Sequence, residues 1–592
     1  MKFKFENRLS DAIGGKFGIE PPELSVELCP AEFTGDVTVS CFPLAKVLKR
    51  NPMELAGIVG EMLKADEDVE AVETVKAFVN VTLKASALMR DTVMDGKALM
   101  DAVALPEAER RKILIEFSAP NTNKPQHLGH VRNNSVGMAT ASILERAGHK
   151  VVRVNLVNDR GVHICKSMIA YQRFGNGVTP ETAGKKGDHL VGDFYVAYDK
   201  EYRRQLKELR EAKPELADKT DDELFLETEI GRAAQDMLKK WEDGDADVRA
   251  LWSKMNGWVF KGFEETYRRM GIHFDKTYLE SQTYMLGKDI IQDGFSRGVF
   301  HKREDGAMVI DFDDKSLGTK VVLRSDGTSV YVTQDIGTTL LKQRDFNPDQ
   351  QIWVVGDEQI RHFKVLFSIL KALGYTWADK LTHMAYGMVN LPSGKMKSRE
   401  GTVVDADDLF DEMASLARAA TLEKAEGAEI DNLDERAAVI SMAALKFMLL
   451  KVNPRTTIMF DPQASIKFEG DTGPYALYAY ARISSMLRKA GDWKSGNADW
   501  SLLGDKYERA LALRCARFPE AVHKAARELD SSTIAGYILD LAKDFSSFYR
   551  NCPVLSAPTP ELRDARLALS ERVRDILKDA LNTLTINTLE SM

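Results

Sequence analysis

The chain has 592 residues, which is more than one hydrophobic core usually serves, so several domains are expected. Its composition, 44% hydrophobic and 29% charged, excludes a largely disordered or fibrous protein. A net charge of −8 argues against a general polyanion binder, although a local basic face could still bind nucleic acid. No apolar run approaches membrane-spanning length, and the first residues lack the apolar core of a signal peptide.

The five cysteines are scattered and form no Cys-x-x-Cys pair. This pattern favours neither a disulfide framework nor a structural zinc site. We therefore expect a soluble cytoplasmic protein that has no membrane segment and no metal site of its own.

The N-terminal region, residues 1–104, mixes short alternating strands at 36–42 and 77–83 with an amphipathic helix at 53–64. This mixture predicts a small α+β domain. A polar linker at 106–112 separates it from the next region.

Residues 105–432 show a strand–helix–strand pattern. Apolar strands at 113–117 and 150–157 flank a helix at 131–146, and Gly148 stands where a helix C-cap is expected. Such a unit predicts a doubly wound parallel sheet of the Rossmann-like kind. Later apolar runs at 307–312, 320–324 and 351–356 are expected to extend the same sheet.

Two further regions have helical patterns. A charged insertion near 187–269 contains interleaved tryptophans, which favour packing on the protein body over contact with a partner. From 433 to 592 amphipathic runs predict an all-α bundle.

The strongest local motif follows the 113–117 strand. His127, Gly129 and His130 lie where a strand should lead into a helix, whose first N–H groups can bind an anion. Both imidazoles would flank a phosphate there, and Gly129 would let an adenine or ribose lie against the backbone. Taken alone, the histidine pair is more often a surface pair or half of a metal site.

A second phosphate-friendly segment is Gly394-Lys-Met-Lys-Ser-Arg-Glu-Gly401. It is no Walker loop, because Val389 replaces the leading glycine and Met396 replaces the Ser or Thr that should follow the lysine. Taken alone it is an exposed basic turn. Mobile cations after a late strand, together with histidines after an early one, predict a site where charge builds on pyrophosphate.

These residues resemble a known family. The segment Glu116-Phe-Ser-Ala-Pro-Asn121 with Lys124-Pro-Gln-His-Leu-Gly-His130 resembles the first signature of class I aminoacyl-tRNA synthetases, in the form that arginyl-tRNA synthetases carry. The segment 394–404 resembles the second signature. Three further segments, at 248–258, 331–335 and 470–482, also resemble arginyl enzymes, so the resemblance covers nearly the whole chain.

The resemblance implies attachment of L-arginine to tRNA(Arg), with ATP and Mg²⁺ and no protein-ligated metal. His127, Gly129, His130, Lys395 and Met396 would meet ATP. The second signature usually has another lysine where this chain has Ser398. Lys124 is our candidate for the missing charge, with Lys397 and Arg399 as rivals.

A guanidinium has donors in a fixed plane, so its pocket needs carboxylates and a polar or aromatic wall. Resemblance assigns the arginine site to Glu116, Asn121, Glu280, Tyr331, Asp335 and Gln359. It assigns tRNA contacts to Phe78 and Asn80 at the elbow and to Tyr475, Tyr478, Arg482 and Met592 at the anticodon. For the aromatic residues, a place in the core is an equally open interpretation.

Three other functions fit parts of the pattern. A cysteinyl-tRNA synthetase would need a zinc site, a small nucleotidyltransferase would not need the helical C-terminal domain, and a non-catalytic tRNA-binding paralogue would not need His127, His130, Lys395 and Asp335. Arginyl enzymes are usually monomers, and we expect a monomer here.

Overall fold

A computed structural model describes residues 3–30, 32–391, 404–424 and 430–592. The N-terminal elements are α1 (Lys4–Phe17), β1 (Ser25–Leu28), β2 (Val37–Ser40), α2 (Phe42–Leu48), α3 (Pro52–Lys64), β3 (Val69–Val75), β4 (Phe78–Leu83), α4 (Ala85–Met89) and α5 (Gly96–Asp101).

The N-terminal strands form an antiparallel sheet in the order β1-β2-β4-β3. Val37, Val39, Val79 and Val81 alternate with polar residues and are buried, so this face of the sheet belongs to the core. Helix α3, which starts at Pro52, packs against β3 and β4. The predicted α+β fold of this region is confirmed.

The central region contains most of the parallel strands. Its elements are β5 (Lys112–Glu116), α6 (Leu128–Arg146), β6 (Lys150–Val157), α7 (Val162–Phe174), α8 (Pro180–Ala183), α9 (Gly187–Ala212), α10 (Glu229–Glu242), α11 (Ala246–Met270), β7 (Lys276–Leu279), α12 (Glu280–Thr283), α13 (Lys288–Ser296), β8 (His301–Lys302), β9 (Met308–Asp311), β10 (Thr319–Leu323), α14 (Tyr331–Phe346), β11 (Gln350–Gly356), α15 (Ile360–Ala372), β12 (Leu381–Tyr386), β13 (Val389–Asn390) and α16 (Ala406–Lys424).

The main sheet has five parallel strands in the order β12-β11-β5-β6-β7. Ile113, Leu114 and Ile115 of β5 are buried at its centre. The predicted strand–helix–strand unit is β5-α6-β6, and Gly148 follows the last helical turn with φ +94°, a backbone conformation that favours glycine. The predicted doubly wound parallel sheet is confirmed.

Two strands lie in a different sheet from the one predicted. The runs at 307–312 and 320–324 become β9 and β10, which pair antiparallel in a separate sheet of order β10-β9-β8. The reason is the short connection, since parallel neighbours need a long crossover whereas a short loop returns the chain as a hairpin. The third run, at 351–356, is β11 of the main sheet.

The helical insertion has a hydrophobic core of its own, built from α7, α9, α10 and α11. Trp241 is fully buried in it, and Trp252 and Trp258 pack against it. The tryptophans are therefore structural, as the sequence favoured.

The C-terminal region is a helical bundle. Its elements are α17 (Leu433–Leu450), β14 (Ile458–Met459), α18 (Pro462–Ser465), α19 (Gly473–Lys489), α20 (Lys506–Ala516), α21 (Phe518–Glu528), α22 (Ser531–Asn551) and α23 (Pro560–Thr583). One continuous core joins it to the parallel sheet and to the N-terminal region. Arg509 adds an ion pair with Asp36 across that junction. Within the described residues, no helix is both long and apolar enough to cross a bilayer.

Candidate active site

The candidate residues gather at one edge of the main sheet. Glu116 ends β5, Glu280 directly follows β7, and Gln359 lies in the turn after β11. Helix α14 contacts α12, which directly follows β7, and its Asp335 is bonded to His362 of α15, which follows β11, so the first turn of α14 also lies near the carboxyl ends of the strands. This edge is where open parallel sheets bind ligands.

The two histidines cap helix α6 reciprocally. The backbone N–H of Gly129 donates to Nδ1 of His127 at 3.1 Å, and the backbone N–H of His127 donates to Nδ1 of His130 at 3.2 Å. A ring nitrogen that accepts a hydrogen bond has no proton, so the proton of each neutral ring is on Nε2. Each ring thus presents an Nε2–H donor beside a helix N-terminus.

Both rings are neutral at physiological pH. Burial, with a smaller contribution from the charge of Lys124, lowers the pKa of His127 to about 4. Burial also places the pKa of His130 well below its ordinary value, with smaller contributions from His127 and Lys124. The ring centroids are 4.0 Å apart, so two imidazolium charges would repel strongly there.

Gly129 makes room for a histidine ring. A Cβ at this position would lie 2.8 Å from Cε1 and 3.0 Å from Nδ1 of His127, closer than real Cβ contacts allow. The glycine therefore preserves the capping geometry, which is a reason that the sequence did not suggest.

The turn after β5 is strained. Ser118 and Ala119 have φ +80° and +47°, in the left-handed region that side chains rarely adopt, at a cost of about 1–3 kcal/mol each. Ser118 N–H donates to Oδ1 of Asn133, and Ala119 N–H donates to Oδ1 of Asn155 at 3.0 Å. Tyr267 OH lies 2.6 Å from the Ser118 hydroxyl. These contacts fix the direction in which the chain leaves β5 towards Asn121.

Two acids of the expected arginine pocket interact electrostatically. Asp335 Oδ2 lies 2.6 Å from Nε2 of His362, and this contact raises the pKa of His362 above its ordinary value. Burial raises the pKa of Glu280 to about 7, against the opposing charge of Arg160, and the Asp335 charge adds to the rise. The charges of Glu280 and Asp335 therefore interact, with Arg160 near the first acid and His362 bonded to the second.

The other expected arginine residues divide into two groups. Glu116 is buried and its Oε2 accepts from Nζ of Lys342 at 2.7 Å, so this carboxylate already has a cationic partner. Asn121 and Gln359 are exposed, and Tyr331 is 79% exposed at the start of α14.

The second-signature residues Lys395 and Met396 lie outside the described residues, as do Lys397 and Arg399. The chain is described again from Val404. There the backbone N–H of Leu128 donates to Val404 O and that of Ala406 donates to Gln126 O, each at 2.9 Å. The two signature segments are therefore joined by a short antiparallel pairing beside His127.

Three of the four expected anticodon residues meet at one cavity. Tyr478, Arg482 and Met592 line a space of about 350 Å³, together with Tyr549 and Lys489. Tyr475 is not among the lining residues. Tyr480, the neighbouring aromatic, is buried and its hydroxyl bonds to Glu590 at 2.6 Å.

The expected elbow residues differ in exposure. Phe78 is 40% exposed and packs edge-on against Phe42, with centroids 5.6 Å apart. Asn80 is only 2% exposed, and its Nδ2 has no hydrogen-bond partner within the described part of the chain. The structure thus presents the aromatic ring and not the amide on the surface.

Comparison with known families agrees with this geometry. The family described as "tRNA synthetases class I (R), catalytic domain" matches residues 96–461, more than half of the chain. The chain belongs to the arginyl-tRNA synthetase family. The "Arginyl tRNA synthetase N terminal domain" matches residues 2–83, and the "DALR anticodon binding domain" matches 476–592.

Similar proteins cover the full length of this synthetase. It is 44% identical to the arginine–tRNA ligase of Bacteroides thetaiotaomicron, over 97% of each chain. It is 42% identical to that of Flavobacterium psychrophilum, over 99% of this chain and 98% of the other. The solved arginyl-tRNA synthetase of Thermus thermophilus superposes with a TM-score of 0.79 at 27% identity, covering all of both chains. The resemblance inferred from the signatures is confirmed.

Several residues at the synthetase site were not predicted from the sequence. Lys342, His362, Arg160 and Tyr549 each act through partners that are distant in the chain. One signal was available, since Lys342 and His362 both lie on helices that flank β11 at the binding edge of the sheet.

Proposed function

We propose that this class I synthetase activates L-arginine with ATP and transfers it to tRNA(Arg). The arginine carboxylate attacks the α-phosphate, and the bond to pyrophosphate breaks. The terminal adenosine 2′-OH then attacks the carbonyl carbon of the adenylate, and AMP leaves as the ester forms. The observation that carries the proposal is the pair of Nε2–H donors that His127 and His130 direct from the N-terminus of α6.

The ATP side of the proposal uses fixed, neutral donors. Two imidazole N–H groups at the positive end of the α6 dipole suit a polyphosphate, because they stabilise the negative charge that develops on it. Lys124 adds a full positive charge close to both rings. Lys395 and Met396 complete the proposed ATP set from the second signature.

The arginine side uses carboxylates. Asp335 and Glu280 would accept the guanidinium donors, with Tyr331 as a wall. Asn121 and Gln359 would hold the α-amino and carboxylate groups of the substrate. Glu116, which is paired with Lys342, would act by holding the end of β5 in place. Lysine should be rejected, since its single ammonium cannot satisfy the same set of acceptors.

Mg²⁺ would enter as the metal complex of ATP. Among the described residues, one cluster brings three metal-ligating side chains within 4.8 Å of one another, namely Asp188, His189 and Asp407. Lys186 Nζ lies 2.6 Å from Asp407 and 3.1 Å from Asp188, so a protein cation already neutralises that cluster. We therefore assign no protein site to Mg²⁺.

The two flanking regions would hold tRNA(Arg). Residues 433–592 would bind the anticodon at the Tyr478–Arg482–Met592 cavity, with Tyr475 nearer the N-terminus of the same helix. Residues 1–104 would meet the elbow through Phe78, with Asn80 beneath it. Aromatic faces beside cations suit splayed-out bases. Residues 105–432 would carry the chemistry, in a cytoplasmic monomer.

Charging of tRNA with each amino acid in turn tests the proposal. Purified full-length protein, ATP, Mg²⁺ and total tRNA should give arginyl-tRNA and no other ester above background. Charging with cysteine would instead indicate the sister synthetase. Absence of any ester with arginine and tRNA present would indicate a non-catalytic tRNA-binding protein.

A further inference from the structure

A partly buried ionic cluster joins three elements that are far apart in the sequence. Lys186 precedes α9, Arg269 is near the end of α11, and Asp407 is in the first turn of α16. We name this set, together with His189 and Asp188, the α16 anchor. Asp188 is fully buried, and Gly262 of α11 is required opposite it, since a Cβ there would lie 2.2 Å from Oδ1 of Asp188.

Asp407 is the centre of the α16 anchor. Its Oδ2 accepts from Lys186 Nζ at 2.6 Å and from His189 Nε2 at 3.2 Å. Its Oδ1 accepts from Arg269 at 3.2 Å. The carboxylate thus has cationic or polar partners from two elements of the helical insertion, and both of its oxygens are used.

The charge states favour a permanent ionic contact. Burial alone would raise the pKa of Asp407, but hydrogen bonds from His189 and Lys186 hold it well below the usual range. Burial alone would lower the pKa of His189, but the hydrogen bond to Asp407 and the nearby Asp405 and Asp188 charges raise it. Removing one member would leave a partly buried charge without its partner, which is unfavourable.

The α16 anchor lies two residues from the backbone that pairs with His127. Asp405 faces His127 in an antiparallel bridge, and its carboxylate caps α16 by accepting the N–H groups of Asp407 and Asp408. The flanking bonds are Leu128 N–H to Val404 O and Ala406 N–H to Gln126 O. The residues directly before Asp407 are thus paired with the backbone on both sides of His127, whose ring caps α6.

We propose that Asp407 is a positioning residue for ATP: by tying α16 to the helical insertion, it fixes the 404–406 segment, whose pairing with the backbone around His127 keeps His127 and His130 in place. The inference rests on the proposed role of these histidines. It also gives the insertion a task in the reaction, because Lys186, His189 and Arg269 set the position of a helix outside it. Displacement of a reacting group by about 1 Å can cost about 100-fold in rate.

Asp407→Asn in the full-length enzyme tests the proposal. We measure tRNA-dependent ATP–pyrophosphate exchange, in which adenylate formation is reversed by labelled pyrophosphate. We expect kcat/KM for ATP to fall about tenfold or more, while KM for arginine changes less than about twofold. Hydrogen–deuterium exchange should rise in peptides that contain Leu128 and Ala406, the two N–H donors of the pairing. His189→Asn removes one of the bonds to Asp407 and should give a smaller effect of the same kind.

Asp408→Asn is the matched control. It makes the same change of charge in the same helical turn, but Asp408 is exposed and takes part in no ion pair within the described residues, so it should behave as wild type. Unchanged kcat/KM for ATP in Asp407→Asn would overturn the proposal. It would also be overturned if hydrogen–deuterium exchange rose throughout α16 and kcat/KM fell equally for ATP and arginine. If a His127 variant kept full activity while Asp407→Asn still raised hydrogen–deuterium exchange, the proposed role of His127 in binding ATP would be refuted instead.

Discussion

The two ends of the candidate site are suited to ligands of opposite charge, and their side chains differ accordingly. At the phosphate end, His127 and His130 are held by backbone N–H groups, and burial keeps both rings neutral. At the guanidinium end, Glu280 and Asp335 are acids whose negative charges oppose each other, and burial raises the pKa of Glu280 to about 7.

The two ends of the site should respond differently to pH. Donors that are already neutral and fixed do not change charge near pH 7, so ATP binding should be insensitive to pH. Burial raises the pKa of Glu280 to about 7, so this acid loses its charge as pH falls and arginine binding should depend on pH. Substitutions at one end should therefore change the kinetic constants of one small substrate and leave those of the other nearly unchanged.

Removing the charge of Asp335 should give the largest effect. Asp335→Asn would leave Glu280 as the one remaining proposed charged acceptor for the guanidinium, and truncating one partner of a charge pair that becomes buried costs about 2–5 kcal/mol. We expect kcat/KM for arginine to fall about 100- to 1,000-fold in tRNA-dependent exchange, with KM for ATP changed little. Asp379→Asn, which loses an exposed pair with Lys371, should behave as wild type. Equal loss for both substrates would contradict the separation of the two ends.

Replacing His127 by asparagine should separate its two roles. Asparagine is a preferred N-cap, so Tm should stay near that of wild type, whereas His127→Ala should lose about 1 kcal/mol of stability. Both variants lose the Nε2–H donor, and removing one such donor costs about 100-fold in kcat. Measurement of kcat and Tm for the pair checks this. An asparagine variant with wild-type kcat would mean that the ring serves only as a cap.

The pH dependence of the two KM values should differ. Glu280 binds a cation only when ionised, and its pKa is raised to about 7, so this contribution is present above pH 7 and is lost as pH falls. Protonation of His362 also strengthens its hold on Asp335 at low pH. We expect KM for arginine to rise about tenfold from pH 8 to pH 6, and KM for ATP to stay nearly constant.

Glu280→Gln is the control for the pH experiment. It should raise KM for arginine at pH 8 and flatten most of the pH dependence, and His362→Asn should remove the remainder. A pH dependence of KM for arginine that persists in the double variant would exclude both residues as its source.

Truncation of Tyr478 should give the smallest effect and should leave both small substrates unaffected. A base that stacks on an aromatic ring gains about 1–3 kcal/mol. Lys424 already lies over the Tyr478 ring at 3.7 Å, so one face of the ring is taken and the lower end of that range applies. We expect KM for tRNA to rise about fivefold in Tyr478→Ala and not in Tyr507→Ala. An unchanged KM would place Tyr478 in the core.

The parts of the fold with local signals could be predicted from the sequence. The unit β5-α6-β6 follows from apolar runs, a helical period and Gly148, and the histidine pair follows from its place at the strand–helix junction. The assignment of β9 and β10 was wrong because an apolar run alone does not show which sheet it joins. The short connection between them carried that information.

Residues with distant partners could not be predicted. Glu116 pairs with Lys342, which is 226 positions away, and Asp407 pairs with Lys186 over 221 positions. Neither spacing has a local periodicity. The burial of Asn80 could not be predicted either. Strand alternation indicates the face of the sheet on which Asn80 lies, but not that Gly35 lies close to its side chain.

Ring-nitrogen NMR of the histidines tests whether His127 and His130 are neutral Nε2–H donors. The chain has ten histidines, and His127→Asn and His130→Asn variants would assign the two signals of interest. We expect both rings to be neutral and protonated on Nε2, unchanged from pH 8 to pH 6. His189 and His362 should gain their charge at a higher pH than an ordinary histidine. Titration of His127 or His130 between pH 6 and 7, or a proton on Nδ1, would contradict it.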